Sequence, residues 1–251
     1  MNLDAAEGGR QWGGVASLRA ETLAATADLE WPLAFARDAM HRDPHHAITI
    51  RPTTLYFGTP VALITTLDEQ GSANITPMSS VWALGYRLVL GLSGASQGCI
   101  NLLAGGEAVV NLPDPLLWPA IERIARTTGR HPVPAYKQAM GYRHEADKFA
   151  IAGLTRAPSR RIAPPRIAEC PLQLEIRLVH SRRAAPEPGD DEADPGFFVI
   201  EMEVLEVHAH PAIVLGPTGR IDTGRWSPLL YVFRHYFGTG ERLGRNFRAE
   251  T

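Results

Sequence analysis

The sequence predicts a mainly β domain, an antiparallel β-barrel with helical insertions, on three observations. Between Ile48 and Leu92 strand-like runs follow one another through turns of two to four residues, too short for a parallel crossover of roughly a dozen residues or more. The segment Leu172-Gln173-Leu174-Glu175-Ile176-Arg177-Leu178 alternates apolar and polar at every step, the period of a strand with one buried face. A second long strand-like run, Phe198 to His210, follows it. With 251 residues, 45% hydrophobic and 21% charged, the chain has the composition of a folded protein with one sizeable core.

Residues 1–45 carry Gly pairs, a helix-like run from Ser17 to Leu29 and the Pro- and His-containing stretch to His45, and they read as an N-terminal arm. The main domain is expected over 46–240. Its first strands are Thr59 to Leu67, Ser72 to Thr76, Ser79 to Ala83 and Tyr86 to Leu92, in β-meander order, with a turn at Asp68-Glu69-Gln70-Gly71. A helix from Gln97 to Ala104 and a strand from Glu107 to Leu112 follow. A longer helix is expected from Pro115 to Thr128, with Pro115 near the start, where a missing N–H is harmless.

Residues 113–168 form a helical insertion, and its Pro- and Gly-containing part, 129–168, reads as an excursion over the barrel where a lid would sit. In the strand from Leu172 the alternation puts Leu172, Leu174, Ile176 and Leu178 on a buried face and Gln173, Glu175 and Arg177 in solvent. Residues 183–196 are an acidic Pro/Gly loop with no assigned function. Along Phe198 to His210 the polar residues change parity between Glu203 and Glu206, which requires a bulge near Val204-Leu205. Residues 241–251 are a C-terminal tail.

Lys and Arg number 25 against 27 Asp and Glu, with no basic cluster, so nucleic acid is not an expected partner. Cys99 and Cys170 lie far apart without Cys-x-x-Cys spacing, which argues against a disulfide scaffold or zinc ribbon and for a reducing compartment. No run approaches the roughly 20 apolar residues of a membrane span, and the N-terminus lacks a signal-peptide pattern, so the expected location is cytoplasmic, with no membrane partner. His41 with His45, and His208 with His210, lack a third ligand at supportive spacing, so no metal is expected.

Gly94-Ala95-Ser96-Gln97-Gly98 fits the Gly-x-Ser-x-Gly nucleophile elbow, after a strand and before a helix. A hydrolase would use Ser96 with an acid such as Asp147 and a histidine such as His208 or His235, on a parallel sheet that this strand order does not provide. The same residues also suit an anion site, where a strand end delivers Gly, Ser and backbone N–H groups into a helix N-terminus. Ser96 as a simple N-cap is a third reading. The motif by itself leaves all three open.

Several blocks carry a resemblance. They are Thr59-Pro60-Val61-Ala62-Leu63-Ile64-Thr65-Thr66-Leu67-Asp68, Asn74-Ile75-Thr76-Pro77-Met78-Ser79-Ser80-Val81-Trp82, Ser96-Gln97 with Asn101-Leu102, Asn111-Leu112-Pro113, and Asp147-Lys148-Phe149. Together they resemble the flavin reductase-like family with the FMN-binding split barrel. The resemblance implies a homodimer of Greek-key antiparallel barrels that binds FMN, tightly or as an exchangeable substrate, with NAD(P)H as electron donor.

Carried onto this chain, the resemblance implies that Thr76, Ser79, Ser80 and Val81 line the ring and phosphate side. Ser96, Gln97 and Asn101 would hold the phosphate and ribityl chain, and Lys148 and Phe149 would close over it. Asn74, Pro77, Met78, Trp82 and Ser93 belong to the same blocks. The run Tyr231-Val232-Phe233-Arg234-His235-Tyr236-Phe237 resembles the segment that approaches the ring and adds Tyr236 and His235, the one candidate for a catalytic contact; His144 is a further neighbour. Relatives commonly carry Thr where this chain has Gly98, which puts one hydroxyl donor to the phosphate in question.

The implied activity is that of a flavin reductase passing hydride from NAD(P)H to FMN for a partner monooxygenase or another electron acceptor. The alternatives are a flavin-dependent enzyme acting on a specialised metabolite, a non-enzymatic flavin-binding protein, and, remotely, a hydrolase using Ser96.

Overall fold

The computed structural model describes residues 47–184 and 196–244. The expected arm with its helix-like run, the His41–His45 pair, most of the acidic loop and the end of the C-terminal tail lie outside the described residues. Residues 54–251 make one compact unit; of the unit formed by 1–53, residues 47–53 are described and contain no helix or strand.

The strands are β1 (Phe57–Pro60), β2 (Ala62–Leu67), β3 (Ala73–Met78), β4 (Val81–Leu84), β5 (Arg87–Ser93), β6 (Glu107–Leu112), β7 (Thr127–Thr128), β8 (Arg143–His144), β9 (Arg156–Ala157), β10 (Arg166–Ile167), β11 (Leu172–Arg183), β12 (Phe197–Ala209), β13 (Val214–Leu215), β14 (Arg220–Ile221), β15 (Leu230–Val232) and β16 (His235–Phe237). The α-helices are α1 (Gln97–Gly105), α2 (Trp118–Ala125), α3 (Ala135–Ala139) and α4 (Lys148–Ala152).

Seven strands form one antiparallel sheet in the order β3-β2-β6-β11-β12-β5-β4. Within it β5, β6, β11 and β12 lie in the spatial order β5-β12-β11-β6, with the first strand beside the last, which is a Greek key. The edge strands β3 and β4 are consecutive in the chain and joined only by Ser79-Ser80. The three Cα steps from Met78 to Val81 span at most about 11 Å. The sheet is therefore curled until its two edges meet, a barrel with a seam between β3 and β4. This corrects the expected meander: β2–β3 and β4–β5 are hairpins, but β3 and β4 do not pair.

The expected strand from Thr59 to Leu67 is likewise two strands. The Val61 N–H donates to Leu229 O (2.8 Å), and β1 pairs with β15 instead of joining the barrel. The expected helix from Pro115 to Thr128 is divided into a 3-10 turn at Pro115–Leu117, capped by Asp114, then α2, then β7. It stops where the Thr127 hydroxyl donates to Ile124 O (2.8 Å) and the β-branched Thr127-Thr128 pair lies parallel to Arg143-His144.

The barrel is apolar inside: Ala62, Ile64, Leu88, Leu90, Leu92, Val110, Ile176, Ile200 and Met202 pack there with Cys99 and Leu102 of α1. Val61, Leu63 and Ile75 face outward under a second cluster made with Ile121 and Ile124 of α2, Phe149 and Ala152 of α4, and Ile167. The insertion is thus fastened to the outer wall of β2 and β3.

The bulge lies where the parity change places it: Glu175 faces Glu206 and Ile176 faces Val204, leaving Leu205 as the extra residue. The polar face of β11 is not solvated, however. Gln173 and Glu175 are buried because the returning segment 156–170 covers them, and they serve its backbone. Gln173 Nε2 donates to Ile167 O (3.0 Å) and Cys170 O (2.7 Å), and the Glu175 carboxylate accepts the N–H groups of Arg160 (2.8 Å) and Arg161 (2.7 Å). Arg177 alone of the three is exposed. Among the described residues no helix is long and apolar enough to cross a membrane.

Candidate functional site

A cavity of about 430 Å³ lies between the outer wall of β3 and the insertion, within the range of roughly 300–1,000 Å³ typical of small-ligand sites. Thr76, Pro77 and Met78 at the end of β3, with Ser79 of the seam, form one side. Ser96 and Gln97 enter at the start of α1, and Ile121, Thr127, Thr128, Lys137 and Lys148 come from the insertion.

Ser96 is the N-cap of α1 in ordinary extended conformation (φ −81°, ψ 140°); its Oγ accepts from Cys99 N (3.2 Å) and donates to Ser93 O (2.8 Å). The N–H groups of Gln97 and Gly98 belong to the first turn, which has no intrahelical acceptors, and carry the positive end of the helix dipole. Gln97 is held from behind: its Nε2 donates to Asn101 Oδ1 (2.7 Å), and Asn101 Nδ2 donates to Thr66 Oγ1 (3.1 Å).

Two lysines reach the same region. Lys148 is buried and donates to Ile75 O (2.8 Å), and Lys137 donates to Ala95 O (3.3 Å). Burial, with the Lys137 charge adding to it and Glu145 partly compensating, lowers the Lys148 ammonium to about 8 from the usual 10.5. Burial and the Arg130 charge lower Lys137 as well. Two desolvated ammonium groups beside a helix N-terminus, with the Lys137 charge adding to the lowering of Lys148, make a site built for an anion.

Thr76 sits on Gly98. A Cβ on Gly98 would overlap Thr76 Oγ1 and stand 2.9 Å from Thr76 Cβ. The Thr76 hydroxyl therefore occupies the place a side chain at 98 would take, over the first turn of α1. Asn74 Nδ2 donates to this hydroxyl (3.0 Å), while Asn74 Oδ1 is buried without a protein partner.

Of the sequence-predicted residues, Thr76, Pro77, Met78, Ser79, Ser96, Gln97, Lys148 and Tyr236 line the cavity. Asn74 and Asn101 stand behind lining residues, and Ser93 supports Ser96 through its carbonyl. Ser80 is exposed and accepts the Gly91 N–H (2.8 Å). Val81 packs into the barrel core, Phe149 is buried beneath Arg156, and Trp82 is 57% exposed on the β4 edge. His235 is exposed, its Nδ1 3.2 Å from Phe233 O, and does not line the cavity.

Sequence reading missed Lys137, Thr127, Thr128, Glu122, Tyr142 and Tyr56, all from segments without a motif. Tyr231 also lines the cavity, within the 231–237 run that the resemblance singled out.

The elbow arrangement does not assemble. Asp147 caps α4 and pairs with Arg156 (2.8 Å), His208 pairs with Glu175 (2.6 Å), and neither these nor His235 bonds Ser96. His208 and His210 are engaged separately, His210 with Ala168 O (2.8 Å), and among the described residues no three His, Cys, Asp or Glu side chains gather as metal ligands.

A family model, the flavin reductase like domain, matches residues 54–240. An uncharacterized protein of Bacillus subtilis, YdfE, is 39% identical over 214 residues, covering 85% of this chain and 100% of that one. Among solved structures, flavoredoxin of Desulfovibrio vulgaris superposes with a TM-score of 0.64 at 19% identity, covering 81% of this chain and 99% of its own. Nitrilotriacetate monooxygenase component B from Bacillus cereus gives 0.63 at 19% identity, covering 80% and 99%. These two likenesses bear on the fold alone.

Proposed function

The chain belongs to the flavin reductase like domain family, and on that premise we propose that it is an FMN-binding oxidoreductase, a flavin reductase that takes electrons from NAD(P)H. The observation that carries this reading is the anion site: Lys137, Lys148 and the α1 N-terminus converge on the cavity wall formed by β3. A phosphomonoester brings about −1.5 to −2 charges at neutral pH, which supports a mononucleotide as the occupant.

When bound, the flavin supplies the hydride chemistry. The protein's residues bind and orient. Lys148 and Lys137 neutralise the phosphate, and Gln97, held by Asn101, offers its amide beside it. The Thr76 hydroxyl supplies the donor that Gly98 lacks. Backbone and hydroxyl groups from Thr76 to Ser79 are available to the polar edge of the ring, and the insertion excludes water from the face it covers. No general acid or base is required by this assignment.

The acceptor in this reading is a partner monooxygenase or another electron acceptor; one structural relative carries a monooxygenase component in its name. A homodimer is supported by the β4 edge, where Trp82 and Leu84 of the strand and Tyr86 of the turn that follows it are exposed.

The test is the flavin itself. Purified protein is expected to be yellow or to become so with FMN, to take FMN in preference to FAD, and to oxidise NADH or NADPH anaerobically with added FMN. Protein that acquires no flavin would overturn the assignment. Bound flavin without NAD(P)H turnover would point to chemistry on another substrate, or to a flavin carrier.

A further inference from the structure

The cavity lining divides by chemistry. Apart from the cationic group at α1, three tyrosines line it in a ladder: Tyr56 and Tyr231 meet edge to face at 5.3 Å, and Tyr231 and Tyr236 are tilted against one another at 5.6 Å. Trp118 backs Tyr236 at 6.3 Å. Glu122, also in the lining, accepts the Tyr236 hydroxyl proton at 2.8 Å. That hydroxyl has one proton and has committed it, so the pair turns only acceptor lone pairs toward a ligand. Among the described residues no Lys, Arg or His lies in salt-bridge contact with Glu122, and the nearby Arg234 acts on Tyr231. The ladder supplies aromatic rings to the lining, and Glu122 adds a negative charge at its Tyr236 end.

We propose that this ladder is a second ring site in which Glu122 and Tyr236 determine specificity. It takes a neutral or cationic planar ring bearing an N–H donor, such as a carboxamide, and rejects the same ring bearing a carboxylate. This rests on the flavin reading and names the chemistry of the molecule that shares the cavity with the flavin. Ring faces stack with any planar ring, so stacking alone does not discriminate. The acceptor pair does: an amide N–H gains a charge-assisted hydrogen bond, whereas a carboxylate meets like charge and leaves the acceptors unpaired. Glu122 is exposed to solvent, so screening keeps the discrimination to about fivefold to tenfold.

Nicotinamide and nicotinate are matched probes, alike in shape and differing in this group. Their binding is read by perturbation of the flavin spectrum in FMN-loaded protein, and by quenching of Tyr and Trp fluorescence in flavin-free protein. The wild type is expected to bind nicotinamide about fivefold to tenfold more tightly than nicotinate. Glu122→Gln, which keeps an acceptor for Tyr236 but removes the charge, is expected to bring the two affinities within about twofold, chiefly by improving nicotinate. Equal binding of the two by the wild type, or an unchanged ratio in Glu122→Gln, would overturn the proposal. A separate FMN titration reads the flavin site. If it fails, the flavin assignment falls, while fluorescence of flavin-free protein still decides between the two outcomes.

Discussion

Lys148 ties the chemistry of the site to pH. Its ammonium titrates near 8 in the folded protein instead of 10.5, chiefly because it is buried. A lysine with a lowered folded value costs stability wherever it stays charged. That cost, roughly 3 kcal/mol from the shift, is fully present below about pH 8 and is relieved as pH rises toward 10.5. A bound phosphate has the opposite effect, because it favours the charged amine. FMN affinity is thus expected to be steady between about pH 7 and pH 8 and to fall by up to about tenfold per unit above it. Lys148→Met is expected to weaken FMN binding by about tenfold to a hundredfold, the worth of a charge-assisted hydrogen bond, and to flatten this profile. Fluorescence titrations from pH 7 to 9.5 measure both.

Gly98 is required by a neighbour rather than by its own backbone, because Thr76 fills the space above it. Gly98→Ala is expected to cost about 1–3 kcal/mol in stability by overpacking and to weaken FMN binding. Adding Thr76→Gly is expected to recover most of the stability. Denaturant unfolding of the two single variants and the double variant gives the coupling, and additive costs would contradict the contact. The Gly98 departure was visible in the sequence. The contact of Gly98 with Thr76, 22 positions earlier, was not, because only the approach of β3 to α1 brings the two together.

Among the elements, the β15–β16 hairpin is the one built against local preference. Val232 pairs with His235, so Phe233 and Arg234 are the two turn residues, and both have positive φ (43° and 74°). Such turns favour Asn-Gly. Phe233→Asn with Arg234→Gly is therefore expected to stabilise the protein by about 1–2 kcal/mol, seen as a raised Tm. The hairpin still forms because tertiary contacts outweigh the turn: β15 pairs with β1, and Tyr231 and Tyr236 pack beside Tyr56 and Trp118. Elements with consistent local signals were legible. Strand β6 has the expected bounds, α1 begins at its N-cap, and the bulge at Leu205 follows from the parity change. The short strands β7 to β10 were not, since two-residue pairings leave no periodic trace.

For the whole molecule, the seam between β3 and β4 leaves one edge open. Strand β4 and the turn after it present Trp82, Leu84 and Tyr86 at 57%, 75% and 72% exposure beside the strand's unpaired backbone edge, a combination that monomers rarely leave uncovered. Trp82→Asp with Leu84→Asp is expected to convert a dimer to monomer in sedimentation. The same change is expected to lower FMN affinity, because the β3–β4 seam that ends in Ser79 borders the cavity.

Taken alone, the sequence determined what depends on neighbours along the chain: the strand periodicities, the antiparallel hairpins, the Ser96 cap, the bulge and the family-specific blocks. Tertiary structure alone decided what depends on partners far away in sequence. It placed β3 and β4 on opposite edges and buried Gln173 and Glu175 under the backbone of segment 156–170. It also brought Lys137, Lys148 and the tyrosine ladder to one cavity. The physical reason is that alternation states which side chains share a face, whereas burial, charge and pKa depend on what packs against that face.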